Sequence, residues 1–213
     1  MRYFVGLLVG IVCFQISVQA DTPWDNSWTD GQIVLKDGSV LKGKLRYNLE
    51  NDVVVMQTKE QLRAFGVHSV ELFTLNDTTK GVVQYYYTLP YQEYAQRPQL
   101  RFFKLVFEDS FALFVREKEV SRNALRLAKT PMRIHPSKDN LALLQKYYVL
   151  LPDGSFQKFR VRHRDIAEVL SLEENGSNQI SRYIYENDID LRRQTDIIRL
   201  IHHFVSQEYL VRL

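Results

Sequence analysis

The chain has 213 residues, of which 45% are hydrophobic and 25% charged, a balance that excludes a disordered tail, a collagen-like fibre and a polytopic membrane protein. Its formal net charge of +3 is too near balance to mark nucleic acid as a bulk partner. The length allows one ordinary domain or two small ones, each with a modest core.

The N-terminus reads as a secretory signal. Arg2 precedes an apolar run from Tyr3 to Phe14, and Val18-Gln19-Ala20 puts small residues where a signal peptidase reads them. A bilayer span needs roughly 20 apolar residues, and here Gln15, Ser17 and Gln19 interrupt the end of a shorter run. Removal of residues 1–20 takes away one basic residue, Arg2, leaving 27 basic and 25 acidic side chains and a net charge of +2. No later stretch is long and apolar enough for a transmembrane span. The only cysteine, Cys13, lies inside the run behind Val12, where a lipoprotein signal would carry a small residue. The mature chain is therefore expected to hold no disulfide, no Cys-ligated zinc and no cysteine nucleophile.

From Gln32 to about Arg116 short alternating runs separated by turn residues predict an antiparallel meander. Asp37-Gly38 predicts a type I′ hairpin turn between Gln32–Lys36 and Val40–Tyr47. In the second run Leu41, Leu45 and Tyr47 share one face, and Lys42, Lys44 and Arg46 the other. Further strands are expected over Val53–Gln57, Ser69–Leu75, Val82–Thr88, Arg101–Glu108 and Phe111–Arg116, with breaks at Asn51-Asp52, Asn76-Asp77 and Asp109-Ser110. Closure into a small barrel, or strong curvature, would remove exposed edges. Trp24 and Trp28, two large apolar rings near the mature terminus, are expected to pin it onto this β domain, residues 21–117.

Residues 118–145 form a basic connector, carrying Lys118, Arg122, Arg126, Lys129, Arg133 and Lys138, and Pro131 forbids a clean helix through it. Beyond it, Lys146–Leu151 and Ser155–His163 predict a second hairpin around Pro152-Asp153-Gly154. The period then changes. Asp165 with Glu168 predicts a capping box for a helix through Glu174, Ser177 caps a second helix bearing Ile180 and Ile184, and a third runs from Gln194 to Gln207 with Ile197, Ile198, Ile201, Phe204 and Val205 on one face. Strands first and helices last mean an α+β fold: an antiparallel curved β meander or small barrel, then a β-hairpin and a short C-terminal helical cap over residues 146–213.

Two stretches carry a resemblance. Gly31-Gln32-Ile33-Val34-Leu35-Lys36-Asp37-Gly38, followed by Leu41-Lys42-Gly43 and later Phe102-Phe103, resembles the opening of uncharacterised exported proteins of Bacteroidota. The tail, from Tyr147-Tyr148 through Asp153-Gly154 and Arg164-Asp165-Ile166-Ala167 to Ile184 and the Ile197–Phe204 helix, is similar to the C-terminal part of the same group. The resemblance implies bacterial export and one continuous architecture, and it transfers no catalytic residue.

The chemistry is mostly told by exclusion. The sequence has no Gly-rich phosphate loop, no nucleophile elbow and no HExxH helix, and no cofactor is expected. His202 and His203 are adjacent and diverge by about 100° on a helix, so they cannot share a metal. His163 lies between Arg162 and Arg164, which oppose one. A site from His68, His135 and a distant carboxylate would need tertiary proximity. Glu186, Asn187, Asp188 and Asp190 offer oxygens but lack the spacing of a calcium loop, and a solvated turn is the simpler account.

Two surfaces remain as binding candidates. Tyr85, Tyr86 and Tyr87 with Tyr91 and Tyr94 form the densest aromatic cluster, and Tyr85, Tyr87 and Tyr91 suit stacking against sugar rings or a protein; aromatics also simply favour strands. Alternation requires at least one of the three consecutive tyrosines to face away from the others. In the strand expected over Gln157–His163, Phe159 and Val161 point inward, and Lys158, Arg160 and Arg162 outward, with Arg164 continuing the row. Such a row can hold phosphate or carboxylate groups, or merely guard a sheet edge. The chain is read as an exported, non-catalytic protein of the periplasm or cell envelope, its partner an envelope protein, an anionic polymer or a lipid headgroup. The alternative is a secreted hydrolase with carboxylates such as Glu108 or Asp109.

Overall fold

The computed structural model describes residues 28–59, 61–77, 81–92, 97–121, 141–172 and 175–211. The signal segment, Trp24, Tyr94, His135 and most of the basic connector lie outside them. Ten strands are present: β1 (Thr29–Leu35), β2 (Val40–Asn48), β3 (Val53–Gln57), β4 (Leu62–Gly66), β5 (Val70–Asp77), β6 (Val82–Tyr91), β7 (Gln99–Glu108), β8 (Ala112–Ser121), β9 (Leu141–Leu150) and β10 (Phe156–Phe159). Three helices follow, α1 (His163–Val169), α2 (Gly176–Glu186) and α3 (Gln194–Val211). The fold is α+β, as the order of periods predicts. The strands make one antiparallel sheet in the order β10-β9-β8-β7-β6-β5-β1-β2-β3-β4. The sheet is curved but not closed, and β4 and β10 are its edges.

The curvature follows from chain length. β5 lies four strand spacings from β4 in the sheet, about 19 Å if it were flat. Only Val67, His68 and Ser69 connect them, a reach of at most about 14 Å at full extension. The connection is tighter still, because Ser69 N–H donates to Gly66 O at 3.1 Å while Lys36 N–H donates to Ser69 O at 3.0 Å. β1 to β5 must therefore roll up. Gly31 and Gly43 face each other across β1 and β2, and a Cβ at Gly31 would overlap Thr74 O of β5 and press on Leu45. The close approach that the roll needs at this point requires a glycine.

The register draws one row of inward side chains across the sheet, Ile33-Phe73-Tyr86-Lys104-Val115-Tyr147-Phe159. At the rolled end this face encloses Ile33, Leu45, Val54, Phe65, Phe73 and Phe102. At the other end the three helices cover it, with Ile166, Ile180, Ile197, Leu200, Ile201 and Phe204 packed on Phe107, Leu113, Val115 and Val149. A register shift between Leu105 and Phe107 turns Phe107 towards the helices, an added twist where the cover changes from strands to helices.

Both hairpins predicted at Asp-Gly form, and the turn at Asp37-Gly38 is not the type I′ expected. Asp37 does not have positive φ, whereas Gly38 does (84°), and so does Gly154 (82°). Gly38 N–H donates to Leu35 O and Leu35 N–H to Ser39 O; Gly154 and Leu151 repeat the pattern with Ser155. Each is a three-residue loop, a type I turn closed by a glycine bulge rather than a type I′ turn. In both, the serine amide donates to the aspartate carboxylate at 2.8 Å. These bonds hold both carboxyls below the usual range: at Asp37 the Ser39 backbone acts first and its side chain second, at Asp153 the Ser155 side chain first and its backbone second.

Other boundaries move. β4 was not anticipated, because Leu62, Arg63 and Ala64 are all exposed and only Phe65 is buried. Asn76-Asp77 lies within β5, β8 runs on to Ser121, and β9 starts at Leu141. The α1 N-cap is Arg162 and not Asp165, which sits in the first turn, and no side chain caps it. Asn175 rather than Ser177 occupies the α2 N-cap. The terminal helix is longer than predicted, and Leu200 joins its buried stripe. Trp28 is half-buried with the Arg46 guanidinium 5.0 Å above its ring.

Ile201 is fully enclosed, so α3 is part of the domain core. Ile201→Asp should lower stability by at least about 3 kcal/mol, since it removes a buried side chain and inserts an unpaired charge. Thermal unfolding followed by circular dichroism would show it as one cooperative shift.

Candidate functional site

The tyrosine run on β6 divides between the two faces, as alternation requires. Tyr86 points inward, stacks on Phe73 at 4.6 Å, and donates to Gln84 Oε1 at 3.1 Å. Burial, with the Glu117 charge second, pushes its hydroxyl well above the ordinary tyrosine value. Tyr85, Tyr87 and Tyr91 belong to the opposite face. Tyr85 is 42% exposed. Tyr87 is half-buried against Phe114, and its hydroxyl is raised by burial, then by Glu108 and Tyr85.

On that outer face β7 to β10 contribute a second row, Leu105-Phe114-Tyr148-Lys158. Phe103, Tyr148 and Phe156 come together there, with Phe103 edge-on to both others at 5.0 and 5.1 Å, and Tyr148 stacked on Phe156 at 5.5 Å. Tyr91 meets Tyr148 edge-on at 5.9 Å. Beside them a cavity of about 330 Å³ is lined by Pro90, Tyr91, Gln92, Pro98, Tyr148, Phe156 and Lys158. Two of the predicted binding residues, Tyr91 and Lys158, thus share one concavity. Tyr148 and Phe156 were missed, although Phe156 and Lys158 stand at strand spacing and an aromatic two residues from a lysine is a readable signal.

The predicted cationic row is broken. β10 ends at Phe159, Arg162 N–H turns back to Arg160 O at 2.7 Å, and α1 starts at His163. Only Lys158 projects from a strand; Arg160 lies past its end, Arg162 is a helix cap and Arg164 is on α1. The helix wins here because it buries Ile166 and Ala167, which an extended chain at the sheet edge would not. Arg160 instead lines a second concavity of about 300 Å³, on the helix side of β10, with Val149, Leu151, Phe159, Asp165, Glu168 and Val169; Lys158 and Gln157 complete it.

Among the described residues the only buried carboxylate is Asp52. It ends the β2–β3 turn at φ 50°, a left-handed conformation that aspartate tolerates better than most residues. Arg116 Nη1 and Nη2 donate to its two oxygens at 2.9 Å each, Tyr47 Oη donates to Oδ1 at 2.9 Å, and Arg101 Nη1 stands 3.5 Å from Oδ2. The carboxylate is thereby fully engaged and has no free oxygen for acid-base work. Burial opposes the Arg116 charge, and the Asp52 hydrogen bonds and charge outweigh it, so that the guanidinium pKa rises. Tyr47 is pushed well above its ordinary value, first by burial and then by Asp52.

Glu108 and Asp109 are exposed at the β7–β8 turn. Asp190 is held low, first by the Arg192 side chain and then by its backbone, in the turn before α3. His163 Nδ1 lies 2.8 Å from Ser181 Oγ, between α1 and α2. No group of three metal-ligating side chains occurs among the described residues, and no described helix is long and apolar enough to cross a membrane. In comparisons with known proteins, no family model, no curated protein and no solved structure matches the chain.

Two outcomes follow from the buried groups. Asp52→Ala should cost about 3 to 5 kcal/mol in chemical denaturation, because it leaves Arg116 buried and unpaired. Asp52→Asn combined with Arg116→Met should cost less than the sum of the single changes. The raised tyrosines act at high pH: their contribution is fully present below the unfolded value near 10 and lost as pH rises through the higher folded values. Stability should therefore fall in the alkaline range as tyrosinate absorbance appears, and Tyr86→Phe should reduce that fall.

Proposed function

We propose that this is an exported, non-catalytic binding protein of the cell envelope, and that its contact surface is the outer aromatic face where β9 and β10 meet Tyr91. The observation that carries the proposal is the shared cavity of Tyr91, Tyr148, Phe156 and Lys158. Aromatic walls favour a flat or apolar group by burial and stacking, and an exposed ammonium at the rim favours an anionic one. A protein segment or another anionic envelope component meets both requirements. Export is supported by Arg2, the apolar run to Phe14 and Val18-Gln19-Ala20. The hydrolase alternative gains no support from Glu108 and Asp109, which stand exposed on a turn, or from Asp52, whose oxygens are occupied.

The test is an amide-shift titration by NMR with polygalacturonate, phosphatidylglycerol vesicles and a glutamate-rich peptide. At least one probe should perturb Tyr91, Tyr148, Phe156 and Lys158 together, and added salt should weaken it. Lys158→Glu should reduce that affinity roughly tenfold with unchanged melting. If none of the three probes perturbs these residues, the proposal is wrong.

A further inference from the structure

Among the described residues β10 is the last strand of the sheet, and no described strand lies beside one of its backbone edges. The hairpin fixes which residues point there. Leu151 N–H donates to Ser155 O, so residues 151 and 155 form a hydrogen-bonded pair, and alternation makes Val149 with Gln157 and Tyr147 with Phe159 the next such pairs. Phe156 and Lys158 must turn their backbone groups outward. Among the described residues no turn or loop backbone bond reaches the Lys158 amide or carbonyl, and its pairing with Tyr148 leaves both pointing away from β9.

Both cavities border β10, one on each face of the sheet. The first takes Tyr148 and Phe156 from the outer face, the second takes Val149 and Phe159 from the helix side and is walled by α1, and Lys158 lines both. A strand laid along the edge would rise about 3.3 Å per residue and send alternate side chains to opposite faces, hence into opposite cavities. Backbone bonds would hold it and the two cavities would select it.

We infer that β10 accepts an extended segment of a partner protein as an eleventh strand, and that the segment alternates acidic with apolar residues. This rests on the binding role proposed above and names its partner class. Acidic side chains fit the face where Lys158 stands beside Tyr148 and Tyr91. Apolar ones fit the helix side, where Val149, Leu151, Phe159 and Val169 form the wall and the charges of Asp165 and Glu168 are balanced by those of Lys158 and Arg160, leaving no net charge to attract an anion. A second copy of the chain is the poorer occupant, because antiparallel β10 strands would set Lys158 opposite or diagonal to its own counterpart.

The experiment uses the purified protein and fluorescent heptapeptides alternating glutamate with valine, with a lysine-valine peptide as control. The glutamate peptide should bind and slow hydrogen exchange at the Lys158 amide. Lys158→Pro, which removes an outward N–H at a strand edge where proline is tolerated, should weaken binding roughly tenfold or more. N-methylating the peptide amides that face β10 should abolish binding, and this arm decides the question if the proline variant does not fold. Absence of binding, binding without protection at Lys158, or binding indifferent to N-methylation would overturn strand addition. So would a concentration-dependent dimer that Lys158→Pro dissolves, which would make the occupant a second copy. If polygalacturonate binds in a Lys158→Glu-sensitive manner while the peptides do not, strand addition falls and the binding role stands. If Lys158→Glu and Tyr148→Ala change binding of neither probe, both fall.

Discussion

The ion pair between Asp52 and Arg116 ties the β2–β3 turn to β8 at the point where the β7–β8 ladder ends. The β7–β8 ladder ends at Lys104 and Val115, although both strands continue. Arg116 is the next residue on β8. It fills the divergence by donating to Phe102 O at 3.3 Å, on the backbone that β8 has left, and carries the rest of its guanidinium to the β2–β3 turn. The rolled end of the sheet and the helix-covered end are thus tied by this ion pair as well as by the ladders between β5 and β8. Tyr47, Phe103 and Tyr91 pack around it, which excludes the water that would screen the charges.

The strands around that pair are apolar on both sides, and the two sides do different things. β6 and β7 send Tyr86 and Phe102 into the core and Tyr87, Tyr91 and Phe103 outward. An antiparallel sheet with one wet face ordinarily alternates apolar with polar residues. Here the outer face carries an aromatic side chain on each of β6 to β10, whereas β2 keeps the polar alternation, with Lys42, Lys44 and Arg46 exposed. The proposed binding role rests on the part of the sheet where the alternation fails.

Much of this was legible in the sequence, and the misses have physical causes. Alternation and Asp-Gly turns located nine of the ten strands, because each of those buries one face. β4 escaped because an edge strand with one buried side chain has no period to detect. The cationic row was overextended because alternation gives no signal for where a strand stops, and the α1 start was decided by burial of Ile166 and Ala167. Asp52 was visible only as a turn residue. Its role depends on Arg116, 64 positions away, and no local pattern carries that distance. Tyr91 and Lys158 were each singled out, and only the fold could put them in one cavity.

The short link from β4 to β5 also orders events in time. β5 pairs with β1, and Gln32 bonds Thr74 across 42 positions, so this pairing must close a loop that contains three whole strands. Closing so long a loop in an open chain carries a large entropic cost. If β1 to β4 have first formed as a local meander and rolled at Gly31 and Gly43, the three-residue link delivers β5 directly to the free side of β1. By that route the topology turns its most distant strand pairing into a nearly local step once the first two strands have curved.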